Sequence, residues 1–290
     1  VSIQGLVGPY APYVFGSLSP HELLATHGPL ALLRGDCAWG AYREFMRQAP
    51  RERDIIASAD AVAGRTDWDI AHSRAMAPQC RYFHVGELLR KPFHEARWAL
   101  ADCQRHSIMV TNARAPMRGF ETVLDAVAVL RQSYPDIRVR LAAGIAGRYG
   151  SFLRRRIDRL GLSDRVELLG WLDGEQLAAA LVKSHCYVMA SHVENSPNSL
   201  CEAQLVGMPC VASYAGGISS LLEHGRTGLF FPVGDGAVLA HRLRTIFQDD
   251  SLAQRLGAAA RAEAAQRHDP KRVVDELMQA YRAAAGARSD

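Results

Sequence analysis

Short apolar runs recur from residue 107 onward, at 107–111, 137–141, 166–169, 186–190, 209–213 and 228–231, set off by Gly, Pro, Asn or Asp. Runs this short, closed by turn residues, predict buried strands. Between them, apolar residues fall at three- and four-residue spacing over 119–132, 151–160, 174–183, 199–206, 218–224 and 237–248, which predicts helices. Strict strand–helix alternation predicts a parallel sheet with helices on both faces.

Upstream of residue 106 the pattern is less regular. Residues 1–3 predict a strand running into Gln4-Gly5, residues 20–57 predict helix punctuated by glycines, and 59–63 and 81–85 predict strands. An amphipathic helix is expected from Asp67, with Thr66 or Asp67 as its N-cap. Gly86 and Pro92 mark a loop toward the second unit. Beyond residue 250 two helices are expected, broken at Asp269-Pro270. The last carries Val273, Val274, Leu277, Met278 and Tyr281 on one face. The resulting division is 1–105, 106–265 and a closing helical piece, 266–290. The chain opens on Val1 directly in a strand, so further strands of the first unit are expected upstream.

Composition narrows the class. The chain has 290 residues, 48% hydrophobic and 22% charged, with a net charge of +4, as in a soluble globular protein of two domains. So mild a basic balance points to anionic ligands and away from a nucleic-acid partner. No apolar run approaches the roughly 20 residues that span a bilayer. The six cysteines (37, 80, 103, 186, 201, 210) form no CxxC pair and no zinc spacing, so they read as reduced thiols in a cytoplasmic protein. Arg154, Arg155, Arg156 and Arg159 make one helix strongly basic. That reads as a solvated face, with peripheral membrane association as the lesser alternative.

The candidate chemistry gathers in 186–217, a strand, polar loop, helix, strand and glycine pair. Such crossover units bind ligands beyond the carboxyl ends of their strands. The free N–H groups at Asn198, Ser199 and Leu200, where the helix starts, suit a phosphate or diphosphate. Glu202, one turn in, suits two ribose hydroxyls, or equally closes a capping box with Ser199. Glu194, in the preceding loop, suits a sugar hydroxyl or developing positive charge, or is a solvated loop carboxylate. Arg114 and Arg118 follow the first strand of this unit. They can grip a diphosphate or can simply be solvated. Gly144 permits close approach of a ligand, and Gly170-Trp171 can offer backbone amides to a base edge. Asp67-x-Asp69 falls in a first helical turn, where acids favour the positive end of the dipole, so it reads as structural and no metal is expected. His192 reads as a hydrogen-bonding loop residue. G-x-S-x-G, P-loop and G-x-G-x-x-G motifs are all missing from the sequence.

These residues resemble a known family. The stretch SHVENSPNSLCEAQLVGMPCVASYAGG is similar to the signature of the family 4 retaining glycosyltransferases of the GT-B fold. Their Glu, seven residues, Glu-Ala, Gly-x-Pro and Gly-Gly pattern is matched by Glu194, Glu202, Ala203, Gly207, Pro209, Val211, Gly216 and Gly217. The match continues through 224–235, extends upstream over 118–144, and more weakly covers residues 1–5 and 59–71. The resemblance implies two Rossmann-like domains with parallel sheets facing a cleft, the first incomplete here. The donor would be a nucleotide-diphosphate sugar used without metal or other cofactor, and the acceptor a glycan or lipid-linked hydroxyl, at or near the inner face of a membrane. Glu202 would bind the ribose, Glu194 would face the donor sugar, and Asn198, Ser199, Leu200, Gly216 and Gly217 would line phosphate and sugar. Arg118 stands in place of the family's diphosphate-binding lysine, and Arg114 substitutes for a second basic contact. Gln4 and Gly5 would lie on the acceptor side, Gln4 where many members keep a histidine. Ser220 stands where an acidic residue is common. The last helix would cross back onto the first domain. A nucleotide-sugar-binding module without catalysis, or a GT-B epimerase or phosphorylase, is the alternative.

Overall fold

The structure, a computed structural model, describes residues 1–26 and 37–286. In the first lobe β1 (Ala61–Gly64) and β2 (Arg81–His84) pair in parallel. The strand expected at 1–3 is reduced to a single bridge beside β1. Ile3 N–H donates to Ala63 O at 2.8 Å, and Ala63 N–H to Val1 O at 2.8 Å. Around them lie α1 (Val7–Tyr10), α3 (Ala38–Ala57) and α4 (Asp67–Met76), whereas α2 (Pro20–Thr26) packs on the second lobe. Part of the helical stretch expected over 20–57 lies outside the described residues. Thr66 caps α4 as expected, its hydroxyl accepting Asp69 N–H at 3.2 Å. Asp69 is fully buried and accepts hydrogen bonds from Arg65 N–H, at 2.9 Å, and from the Tyr82 hydroxyl. Its work is therefore structural.

A connecting stretch with α5 (Lys91–Glu95) leads to the second lobe. There β3 (Gln104–Val110), β4 (Arg138–Leu141), β5 (Val166–Leu168), β6 (Ser184–Met189), β7 (Cys210–Ser213) and β8 (Leu229–Phe231) form one sheet. All neighbours are parallel, in the order β5-β4-β3-β6-β7-β8. The chain winds outward from β3 to β5, then returns to the other side of β3 with β6. The loops leaving β3 and β6 therefore diverge and open a crevice between them. Every residue of β6 is buried, as a central strand covered on both faces requires. Alternate residues feed two cores: Cys186 and Val188 join Ile108 and Val110, while Tyr187 and Met189 join Met109 and Ala212.

The helices are α6 (Phe120–Leu130), α7 (Gly147–Arg159), α8 (Gly174–Val182), α9 (Asn198–Val206), α10 (Gly236–Gln248), α11 (Asp250–Arg267) and α12 (Pro270–Gly286). The helix expected over 218–224 is instead a short 3-10 turn, Gly216–Ser220. Thr227 Oγ1 takes the Glu223 N–H at 2.8 Å, closing the chain into a tight turn where a helix would have continued.

Among the contacts that join the lobes in the described residues, three stand out. Leu18 and Leu23 belong to the core of the second lobe, although they precede α3 in sequence. Beside them Arg156 of α7 is held by Glu22 at 2.7 Å and by Asp125 at 2.9 Å. Arg156 therefore departs from the solvated face expected for the basic helix, whereas Arg154, Arg155 and Arg159 are exposed. Second, the Thr66 hydroxyl donates to Asn195 Oδ1 at 2.6 Å, and Ser220 Oγ accepts Asp67 N–H at 3.0 Å. Third, Glu276 of α12 accepts Gly86 N–H at 3.0 Å, bringing the last helix back to the first lobe. Its expected stripe is only partly covered. Val273 and Ala280 are buried, but Val274, Met278 and Tyr281 are exposed.

Candidate functional site

The crevice between β3 and β6 is built by two loops stitched together. His192 N–H donates to Met117 O at 2.8 Å. Gly119 has φ +64°, and a Cβ there would lie 2.0 Å from Ala190 O, so only glycine lets the β3 loop close onto the end of β6. This closure presents Arg118, from the turn Pro116–Arg118, directly to the β6 loop. Arg118 Nη1 pairs with Glu194 Oε1, which also accepts the Ser191 hydroxyl at 2.9 Å. The two candidate catalytic groups thus hold each other.

The β6 loop is braced from below. A Cβ on Gly216 (φ +53°) would lie 2.0 Å from Glu194 O, and one on Gly217 would lie 2.3 Å from Asn195 O. Gly217 N–H is already committed to Glu194 O at 2.8 Å. The glycine pair therefore shapes the loop carrying Glu194, and the Gly217 amide is spoken for.

Helix α9 begins without a side-chain cap, because its N-cap is Pro197. Leu200 N–H turns back to Pro197 O at 3.1 Å. The N–H groups of Asn198 and Ser199 make no hydrogen bond among the described residues, so two donors stand open at the positive end of the helix. The capping box expected between Ser199 and Glu202 does not form. Ser199 Oγ instead accepts from the Tyr187 hydroxyl at 3.0 Å, which in turn meets Thr111 Oγ1 at 2.9 Å. Glu202 points elsewhere: its Oε1 accepts Arg90 Nε at 3.0 Å and Arg90 Nη2 at 2.8 Å. Burial raises the Glu202 carboxyl above its ordinary value, and Arg90 pulls it back.

At the ends of β4 and β5, Gly144 and Gly170 face open space, with no atom within 4 Å of where a Cβ would stand; Gly170 has φ +73°. Arg114 stands apart from Arg118, its guanidinium 5.0 Å from the Trp171 ring centroid in a cation–π contact. Trp171 is 78% exposed.

The first lobe supplies the opposite wall. Gln4 is exposed and accepts from Arg65 at 3.0 Å, and Gly5 lies against the Tyr10 ring. Tyr10 itself was not legible in sequence. Its short helix is pinned by Glu52, whose carboxylate accepts Val7 N–H at 2.7 Å and Gly8 N–H at 3.0 Å. Burial first, then the Glu194 charge, push the Tyr10 phenol well above its ordinary value, while Arg118 and the Asn195 amide pull it down. Its phenol thus stays neutral and lies close enough to feel both charges of the Arg118–Glu194 pair. Asn195 Nδ2, buried next to this point, has no hydrogen-bond partner among the described residues. His192 meets Ser17 Oγ at 3.3 Å, and burial lowers its pKa. Among the described residues no group of His, Cys, Asp and Glu side chains could hold a metal ion. No described helix is long and apolar enough to cross a membrane.

Residues 94–263 match the family model of glycosyl transferases group 1. The D-inositol 3-phosphate glycosyltransferase of Streptomyces avermitilis is 27% identical over 278 residues, covering 89% of this chain and 59% of that protein. The chain spans about half the length of the curated relatives it matches. Among solved structures, sucrose-phosphate synthase from Thermosynechococcus elongatus superposes with a TM-score of 0.75 at 21% identity, over 99% of this chain and 67% of that one. Anabaena HepE in complex with UDP-glucose superposes with a TM-score of 0.70 at 22% identity, over 84% of this chain and 68% of that one.

Proposed function

The chain belongs to the group 1 glycosyl transferases and has the GT-B fold, and from that premise we propose that it carries the donor site of a retaining, metal-independent transferase. The donor is a nucleotide-diphosphate sugar and the acceptor a glycan or lipid-linked hydroxyl. The reading rests on one observation: two open amides at the start of α9, Arg118 and Glu194 converge on the crevice between β3 and β6.

In this reading the base lies over Gly144, Gly170 and Trp171, and the ribose hydroxyls reach Glu202. The diphosphate sits on the Asn198 and Ser199 amides and takes Arg118 from Glu194. Glu194, released, turns to the sugar. The acceptor enters past Gln4, Gly5 and Tyr10. The bond from the sugar's anomeric carbon to the diphosphate breaks as the acceptor oxygen bonds to the same face. The acceptor proton passes to the departing diphosphate oxygen, so no protein base is required. Arg118 and the helix terminus stabilise the leaving charge, and Glu194 the positive charge developing on the sugar.

UDP-glucose and GDP-, ADP- and dTDP-sugars are the donors to test, with release of nucleoside diphosphate as the readout. Glu194→Ala is expected to lower turnover by about 10²–10³-fold. Full turnover in that variant overturns the assignment, and loss of activity on chelating divalent metals overturns the metal-independent part of it.

A further inference from the structure

Arg90 belongs to neither lobe's sheet. It lies in the connecting stretch just before α5, yet its side chain reaches Glu202 inside the second lobe. Its guanidinium stacks 4.8 Å from the ring centroid of Phe93, which is fully buried, so the arginine is placed by packing as well as by charge. Gly174, at the start of α8, flanks the arginine: a Cβ there would make ordinary contact with Arg90 Nη1 at 3.5 Å. Both arginine nitrogens go to one carboxylate oxygen, Oε1, and Glu202 Oε2 makes no hydrogen bond among the described residues.

We propose that Arg90 is a positioning residue of the nucleotide site: it fixes Glu202 through Oε1 and leaves Oε2 to accept the ribose hydroxyls. This rests on the donor-site reading above. The need for such a residue follows from burial. A carboxylate this deep loses hydration, which favours the neutral form, a poorer acceptor, unless a cation beside it holds the charged form. Arg90 is the charge that acts on Glu202. The other charged groups on the elements packed around α9 are occupied or turned away. Arg261 of α11 bonds to Leu205 O, and Arg267 to Gln204 Oε1 at 2.7 Å. Lys91 and Glu95 of α5 pair with each other at 3.4 Å, His94 Nε2 is buried and makes no hydrogen bond among the described residues, to Glu202 or otherwise, and Glu175 of α8 is exposed. Removing Arg90 leaves burial unopposed, so the Glu202 carboxyl rises further and takes up a proton as pH falls.

The test is calorimetric, on the full chain. UDP, GDP and ADP are titrated against the wild type, and the tightest binder is compared with its 2′,3′-dideoxy form at about pH 6 and about pH 8.5. The wild type is expected to prefer the ribonucleotide about 10-fold or more at both pH values, the effect of hydrogen bonds to a charged group. In Arg90→Ala that preference is expected to shrink to about 2-fold at the lower pH and to recover at the higher one. Arg90→Lys is expected to restore most of the preference at the lower pH. An Arg90→Ala protein that keeps the full preference at both pH values overturns the proposal, as does one that binds the ribonucleotide more tightly than wild type. If the wild type takes none of the three nucleotides, the donor-site reading itself fails.

Discussion

At the scale of single residues, burial governs the ionisable groups. Glu121, in the first turn of α6, is 5% exposed, and burial pushes its carboxyl up to about 7; the Tyr149 hydroxyl donates to it at 2.6 Å and Arg156 and Glu22 lie nearby. The folded protein therefore keeps a proton on Glu121 over a range where the unfolded chain has lost it. Stability from this residue is full below the ordinary carboxyl value of 4.5 and is lost as pH rises through about 7. His185 and His268, held near 4 by burial, act in the opposite direction, adding stability as pH rises from about 4 to 6.5. The comparison with a variant isolates the glutamate. Glu121→Gln keeps an acceptor for Tyr149 and is expected to gain up to about 3 kcal/mol over wild type at about pH 8 and nothing at about pH 4. Urea unfolding at both pH values measures this, and an equal difference at both would rule out titration of Glu121.

At the scale of elements, α2 is the unexpected one. It comes before α3 in sequence but buries Leu23 in the second lobe's core and pairs Glu22 with Arg156 of α7. Leu23→Ala is expected to cost about 2–4 kcal/mol in urea unfolding, as for other large-to-small changes in a core. A loss well under 1 kcal/mol would show that the helix is not docked in solution. The strands of the second lobe were legible because both their faces are buried, so their apolar runs are unbroken; β6 is the clearest case. The start of α9 near Asn198 was legible; that no side chain caps it follows from Pro197, which offers no side-chain acceptor. What the sequence hid was long-range partnership. Ser199-x-x-Glu202 has the spacing of a capping box, but Tyr187 and Arg90, 12 and 112 residues away, claim the two side chains. Tyr10 and Arg90 lie in segments without periodicity, and nothing local marks them.

At the scale of the molecule, the lobes meet beside the candidate reacting centre. The Thr66 hydroxyl both caps α4 and donates to Asn195, the neighbour of Glu194. Thr66→Val keeps the shape and deletes both bonds. It is expected to cost about 2–3 kcal/mol, the combined effect of a lost cap and a buried hydrogen bond. Urea unfolding of the full chain measures the cost, and a neutral substitution would mean that the lobes do not rest in this arrangement.

The uncapped start of α9 carries a consequence for how this sequence can drift. A grip made of peptide groups is nearly blind to side-chain identity, so as far as those amides go Asn198 and Ser199 can vary as long as neither becomes proline, although Ser199 also accepts from the Tyr187 hydroxyl. Position 197 is not so free. Serine, threonine, aspartate or asparagine there would each make a better helix by reaching the very amide that now stands open. A change that any stability screen would reward would then occupy the proposed anion site from within.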